Sequence, residues 1–335
     1  MKRPFVTLAV AWLAGGMAAG AQAPAGSSAE VERHIAAART AAGSNHLGLF
    51  DRICAEARTI AVPPAAGGRG PGAAPGRQGG PPPPPPRDSW HAEPARVFDN
   101  LYYVGMTEFS AWAVTTSEGI VLIDAIFDYS VEDEVVGGLK TLGLDPAQIK
   151  YVVVSHGHGD HAAGAKHLQD RFGSRLLMSA ADYDLLERQN PSWKPRRDLV
   201  ITDGYKLTLG DTTLTFYLTP GHTEGTVSTL VPVRDGGRRH LAAAWGGTAF
   251  NFGPNKERLG MYVSSAARFR DIVRTAGANV LIANHTNFDG TKTKLPALAA
   301  RRAGVPHPYV IGTDAVGRYL TVAHECAQAA LAALP

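Results

Sequence analysis

Ser155-His156-Gly157-His158-Gly159-Asp160-His161 is the stretch that decides how this chain is read. Three imidazoles and a carboxylate within six residues suit neither a packed core nor a helix start, because clustered histidines oppose one another's protonation. Neutral imidazole is a good zinc ligand, and a carboxylate oxygen completes such a site. Gly157 and Gly159 leave the backbone free to turn until the side chains converge. Just upstream, Tyr151-Val-Val-Val154 is a continuous apolar run, the pattern of a strand covered on both faces. Residues 162–172 downstream read as helix. The motif therefore sits at the carboxyl end of a buried strand, where open α/β sheets place their sites.

Outward from there, strand and helix patterns alternate. Residues 101–105, 111–115 and 119–123 are short β-branched and aromatic runs between turn residues, which predicts strands. Residues 130–142 carry Val131, Val135, Leu139 and Leu142 on one helical stripe. Residues 176–178, 214–218, 227–233, 240–245 and 280–283 read as further strands. Residues 180–189, 266–276 and 313–334 read as helices. Alternation of this kind requires both faces of a sheet to be covered, so the fold class is α/β.

The amino-terminal part differs. Lys2 and Arg3, an apolar run over 5–19 and small residues at Ala19-Gly20-Ala21 form the layout of a secretory signal peptide at 1–21. Residues 22–62 contain apolar positions at helical spacing and predict one or two helices. Residues 63–87 follow as a linker or loop: ten of the 24 residues from 63 to 86 are proline and seven are glycine, a composition without a packable face. The main domain is then 88–335. Export would place the two cysteines, Cys54 and Cys326, in an oxidising compartment, where one bridge between them competes with two separate buried thiols. A formal charge of +3 over 335 residues, with no basic run longer than two, gives no electrostatic footprint for nucleic acid. Past the first 20 residues no apolar run is long enough to span a membrane. Oligomeric state is not legible.

His-x-His-x-Asp-His after a hydrophobic strand resembles the signature of the metallo-β-lactamase superfamily. The resemblance covers the chain from about residue 97 onward and implies a four-layer αββα sandwich. It also implies a fourth histidine after a later strand, and Thr219-Pro220-Gly221-His222-Thr223 matches that element. Physically, Pro220 and Gly221 end a strand in a turn from which His222 projects. The run Val280-Leu-Ile-Ala-Asn284-His285 resembles the last metal ligand. His34, His46, His91, His167, His240, His307 and His324 have no such placement and read as surface or packing residues.

Many relatives, including hydroxyacylglutathione hydrolases and acyl-homoserine lactonases, carry a bridging aspartate further on. Here that region is Ala243-Ala-Trp-Gly-Gly-Thr-Ala-Phe250, with neither Asp nor Cys. The chain is most similar to class B, subclass 3 metallo-β-lactamases. That likeness implies two zinc ions per chain, His156, His158 and His222 holding the first, and Asp160, His161 and His285 the second. It further implies an exported (periplasmic or secreted) hydrolase that opens a β-lactam amide with a zinc-bound hydroxide, Asp160 serving catalysis and Thr248 the substrate. The alternative is a dizinc hydrolase of the same fold acting on another ester, lactone or amide. Thr286 after His285, a lone Thr248 where serines are frequent, and the Pro/Gly stretch all depart from the subclass. No Gly-x-Ser-x-Gly elbow occurs, and both cysteines lie far from the motif in sequence, which argues against covalent catalysis. Asp124, ending the strand before the motif strand, is a candidate to hold a ligand's far nitrogen. Trp193, Arg196 and Arg197 are candidates to border the cleft, and Phe109 and Trp112 to form a flexible flap, with core packing the alternative for Trp112.

Overall fold

The computed structural model describes residues 25–61 and 83–335. The expected signal peptide at 1–21 lies outside the described residues, as does the Pro/Gly stretch as far as residue 82. Among the described residues the strands form two sheets. The first contains, side by side and in chain order, β1 (Ala95–Arg96), β2 (Leu101–Tyr103), β3 (Trp112–Thr116), β4 (Gly119–Ile123), β5 (Ile149–Val153), β6 (Arg175–Ser179) and β7 (Leu199–Ile201). Pairing is antiparallel up to β4 and parallel beyond it. The second contains β8 (Lys206–Leu209), β9 (Thr212–Leu218), β10 (Val227–Asp235), β11 (Arg238–Trp245) and β12 (Val280–Ala283), in spatial order β12-β11-β10-β9-β8.

Strand alternation builds the layers. Along β4, Val121 and Ile123 face the second sheet, while Ile120 and Leu122 face helices. Along β11, Ala242 and Ala244 face the first sheet, while Ala243 and Trp245 face the opposite helical layer. One core therefore lies between the sheets, with Trp112, Leu214, Phe216 and Val280 in it, and one under each helical layer. This is the four-layer αββα sandwich.

The layer on the second sheet is built from both ends of the chain. Helices α1 (Ala25–Ala42) and α2 (Leu47–Thr59) share a core with the two long later helices, whose buried positions include Phe269, Tyr319 and Leu320. Cys54 in α2 is bonded to Cys326, with Cα atoms 4.8 Å apart. The first sheet is covered by a π-helical turn at Glu132–Gly137 running into α3 (Gly138–Thr141), then by α4 (Gly159–Ala162), α5 (Ala165–Phe172) and α6 (Ala180–Gln189). The remaining helices are α7 (Lys256–Ala276), α8 (Thr286–Asp289), α9 (Thr291–Ala299) and α10 (Thr313–Ala332). Among the described residues no helix is long and apolar enough to cross a membrane.

The sequence expectation of one helix over 162–172 is corrected. Helix α4 ends and α5 starts around Gly164, whose N–H leaves the helix to donate to the Ile126 carbonyl at 3.0 Å, and where a Cβ atom would lie 2.1 Å from the Ala125 carbonyl, so only glycine fits. Helix α7 starts ten residues before the predicted 266, capped by the Asn255 side chain, which accepts from Arg258 N–H at 3.0 Å. Gly260, Ser264 and Ser265 had blurred its apolar stripe.

Candidate metal centre

Five strand ends deliver the site. The segment after β5 carries His156, His158, Asp160 and His161; the turn after β9 carries His222; the residues after β12 carry His285. The ends of β4 and β11 supply supports. The imidazoles meet in two groups. His222 Nε2 lies 3.1 Å from His156 Nε2 and 3.1 Å from His158 Nδ1. His161 Nε2 lies 3.2 Å from His285 Nε2 and 3.1 Å from Asp160 Oδ2, and His285 Nε2 lies 3.5 Å from the same oxygen. His156 and His161 have ring centroids 4.2 Å apart, so the two groups adjoin.

Hydrogen bonding on the far nitrogens tests whether cations fit. His156 Nδ1 lies 2.8 Å from the Gly246 carbonyl and His222 Nδ1 lies 2.7 Å from the Ala249 carbonyl. A carbonyl only accepts, so both protons sit on Nδ1 and both Nε2 atoms present lone pairs. Two lone pairs facing each other at 3.1 Å repel unless a cation lies between them. Burial, then the neighbouring imidazoles, hold His156 and His222 well below the usual histidine range, so protons do not supply that cation. The donor set fits a metal ion.

The second group has a different electrostatic balance. Burial disfavours a charged His161, but Asp160 and Asp124 outweigh it and push the imidazole up to about 10. Burial opposes ionisation of Asp160, yet the nearby imidazoles, His161 foremost, hold it well below the usual carboxylate range. Burial, then the charge of His161, push His285 down to about 3. A carboxylate and two imidazoles thus share one proton, held on His161, which a metal ion displaces on binding. His156, His158 and His222 as one group, and His156, Asp160 and His161 as another, could each hold a metal ion.

Asp124 occupies the supporting place expected of it. Its Oδ2 lies 3.0 Å from His161 Nδ1 and accepts from Ser155 Oγ at 2.9 Å, while Oδ1 accepts from Ser155 N–H at 2.7 Å. It does so with φ of +61°, a backbone conformation that costs a non-glycine residue of order 1 kcal/mol or more.

Other supports escaped the sequence. Asp182 Oδ2 accepts from Gly157 N–H at 2.9 Å and Thr223 Oγ1 at 2.8 Å, tying the motif loop to the His222 turn. Burial pushes that carboxyl up to about 6 against those hydrogen bonds. Asn284 Nδ2 donates to the Gly246 carbonyl at 2.8 Å. Arg258 donates to the carbonyls of Gly221 and His222. The run Gly246-Gly-Thr-Ala-Phe250 is a cradle of backbone acceptors. A Cβ on Gly247 would lie 2.5 Å from His222, so only glycine admits the ring there. That pair of glycines was the legible signal, one of close backbone approach.

Thr248 is corrected: it is 2% exposed, its Oγ1 is buried, and its carbonyl accepts from Tyr262 at 2.9 Å. A hydroxyl below the surface does not reach a substrate in the cleft. Trp112 is core, its Nε1 donating to the Ala283 carbonyl at 2.9 Å. Phe109 packs 5.1 Å from the His285 ring and continues into Phe127 and Tyr129, an aromatic wall beside the second group. Trp193 lies against Gly159, whereas Arg196 and Arg197 pair with Asp170 and Asp184. The seven other histidines lie outside the two groups. His307 is buried, stacked 4.1 Å from Phe98.

Residues 110–235 match the family model of the metallo-beta-lactamase superfamily. Among solved structures the chain is similar to BJP-1, a subclass B3 metallo-β-lactamase of Bradyrhizobium japonicum, with TM-score 0.60 and 25% identity, covering 68% of this chain and 89% of that one. The chain has the metallo-β-lactamase fold. Native FEZ-1 metallo-β-lactamase from Legionella gormanii shares the superfamily fold at TM-score 0.58 and 24% identity, over 68% of this chain and 91% of that one. Among curated proteins, a hydroxyacylglutathione hydrolase of Acidiphilium cryptum (strain JF-5) is 32% identical over 39% of this chain, and the N-acyl homoserine lactonase AttM of Rhizobium radiobacter 35% over 28%. The chain spans 46% and 40% of those two relatives' lengths. The superfamily fold implies bound metal ions, typically zinc.

Proposed function

We propose that this chain is an exported dizinc hydrolase that opens the amide of a β-lactam, with His156, His158 and His222 holding one ion and Asp160, His161 and His285 the other. The observation that carries the reading is the pair of adjoining clusters of metal-ligating side chains, with His285 Nε2 3.2 Å from His161 Nε2 and no carboxylate in the Gly246–Phe250 run. Likeness to subclass B3 enzymes along most of their length supports it. Two zinc ions supply a water acidic enough to be nucleophilic near neutral pH and an electrophile for the carbonyl oxygen.

The protein's own groups do the rest. Asp160 stays ionised with its side chain 22% exposed, so it both holds its ion and orients the attacking water. His156 and His222 are locked by carbonyls and stay neutral, so they do not compete for the reaction's proton. Phe109, Phe127 and Tyr129 give the apolar part of a substrate a surface to lie on. Water adds across the C–N bond, oxygen to the carbonyl carbon and a proton to the departing nitrogen. The disulfide is consistent with export.

The curated relatives favour a second reading, hydrolysis of a lactone or thioester on the same centre. Turnover of a chromogenic cephalosporin and a carbapenem, with and without chelator, tests the first against a parallel panel of lactones and thioesters. Chelator-sensitive cephalosporin opening is the expected result. Lactone or thioester turnover without β-lactam turnover transfers the assignment to the second reading.

A further inference from the structure

The amino-terminal helix α2 reaches the metal centre through one peptide group. Phe250 N–H donates to Glu56 Oε2 at 2.8 Å. The carbonyl of that same peptide, Ala249 C=O, accepts from His222 Nδ1–H at 2.7 Å. His222 Nε2 then points at His156 and His158. A carboxylate, a peptide and an imidazole are therefore in series. Metal-bound histidines commonly give their far N–H to a carboxylate, which fixes the ring and raises its basicity. Here the peptide stands between the two, and polarisation passes through it because hydrogen bonds in a chain strengthen one another.

We infer that Glu56 is a positioning residue for the first metal ion. It holds the Ala249–Phe250 peptide in the one orientation that aims His222 at its partners. Several features keep the carboxylate on station. Arg52 Nε donates to its other oxygen at 3.1 Å, leaving Oε2 for the peptide. The bond from Cys54 to Cys326 anchors the same turn of α2 to α10. Phe250 is 3% exposed, so its N–H has no solvent to fall back on and depends on Glu56. Glu56 lies well outside the stretch matched by the family model, so this part of the centre comes from the helical segment that precedes the Pro/Gly run.

The inference rests on His156, His158 and His222 holding a metal, not on the substrate. The test titrates metal-free full-length protein with Zn²⁺ against a chromophoric chelator and records Co²⁺ ligand-field spectra in parallel. Glu56→Ala is expected to weaken one of two equivalents by about 10- to 100-fold and to shift the Co²⁺ bands. Glu56→Gln, which keeps an acceptor oxygen, restores affinity to within about threefold of wild type. Glu32→Ala, an exposed glutamate on α1, leaves both readouts unchanged. Wild-type affinity in Glu56→Ala, or equal losses in Ala and Gln with unchanged spectra, overturns the assignment. A wild-type chain that takes up no metal sinks the dizinc reading and this inference with it. Full metal uptake without β-lactam turnover sinks only the substrate and leaves Glu56 in place.

Discussion

His46 gives the sharpest test of the helical layer. Its ring is 3% exposed, its Nε2 lies 2.8 Å from the Ala315 carbonyl, and its edge meets Tyr319 at 5.5 Å. Burial is the main cause that lowers it to about 4; the Ala315 hydrogen bond only partly offsets this. The unfolded chain therefore binds the proton more tightly than the folded one. Stability is full above the unfolded value of 6.5 and falls as pH drops through 6.5 toward 4, after which this group contributes no further loss. A shift of that size corresponds to about 3 kcal/mol. The perturbation is His46→Gln, which keeps a donor for Ala315 and cannot titrate. Urea unfolding of metal-free wild type and variant at half-unit steps from pH 7.5 to 3.5 gives the difference between them. We expect wild type to lose about 3 kcal/mol relative to the variant across that window. A difference that stays flat with pH would refute the claim that a buried neutral imidazole joins α2 to α10.

The remaining expectations concern ligands and cross-links. His285→Ala should reduce zinc uptake from two equivalents toward one after dialysis, with second-site affinity down at least about 100-fold, and turnover should partly recover in excess zinc; two tight equivalents in that variant would remove His285 from the site. His240→Ala is a suitable control for it, whereas His307→Ala should cost about 2–4 kcal/mol in unfolding free energy because it empties a buried ring stacked on Phe98; an unchanged melting temperature would contradict that packing. Replacing Cys54 and Cys326 by serine releases a cross-link spanning 272 residues, for which chain entropy sets a loss of up to about 5.5 kcal/mol. Melting with and without reductant measures it, and coincident curves for wild type would show that the bond is absent in solution.

The histidine motif was legible because its chemistry is local: three imidazoles and a carboxylate cannot be hidden in six residues. Strand-then-histidine placed His222 and His285 for the same reason, once the motif had declared a family. Asp124 was visible as the residue closing a strand beside the motif. What sequence could not show was anything carried by the main chain. The acceptors for His156 and His222 are carbonyls of Gly246 and Ala249, and a carbonyl has no letter in the sequence. Thr248 drew attention because it alone in that run has a polar side chain, yet its backbone does the work and its hydroxyl is buried. Asp182, Glu56 and Arg258 act across 25 to 194 residues of chain separation, beyond any local pattern. The short edge strands β1 and β8 were missed because Ala95-Arg96 and Lys206–Leu209 lack an apolar run, and β7 because its run, Leu199–Ile201, is only three residues long with Val200 39% exposed. Helix α9 was missed because Pro296 interrupts it.

Because the two ring-orienting acceptors are main-chain carbonyls on one short run, no exchange of side chain can delete them. Changing Ala249 to serine or valine keeps its carbonyl in the chain. Removing one residue between Gly246 and Phe250, by contrast, puts a different carbonyl opposite each imidazole and takes the Phe250 amide out of reach of Glu56. The centre is thus tolerant of spelling and intolerant of spacing. In a library of variants across this run, substitutions at half-buried Ala249 should survive in numbers, those at buried Thr248 and Phe250 should be limited by packing, and deletions and insertions should be nearly absent. Loop length, more than composition, is the heritable property that keeps His156 and His222 aimed at a common point.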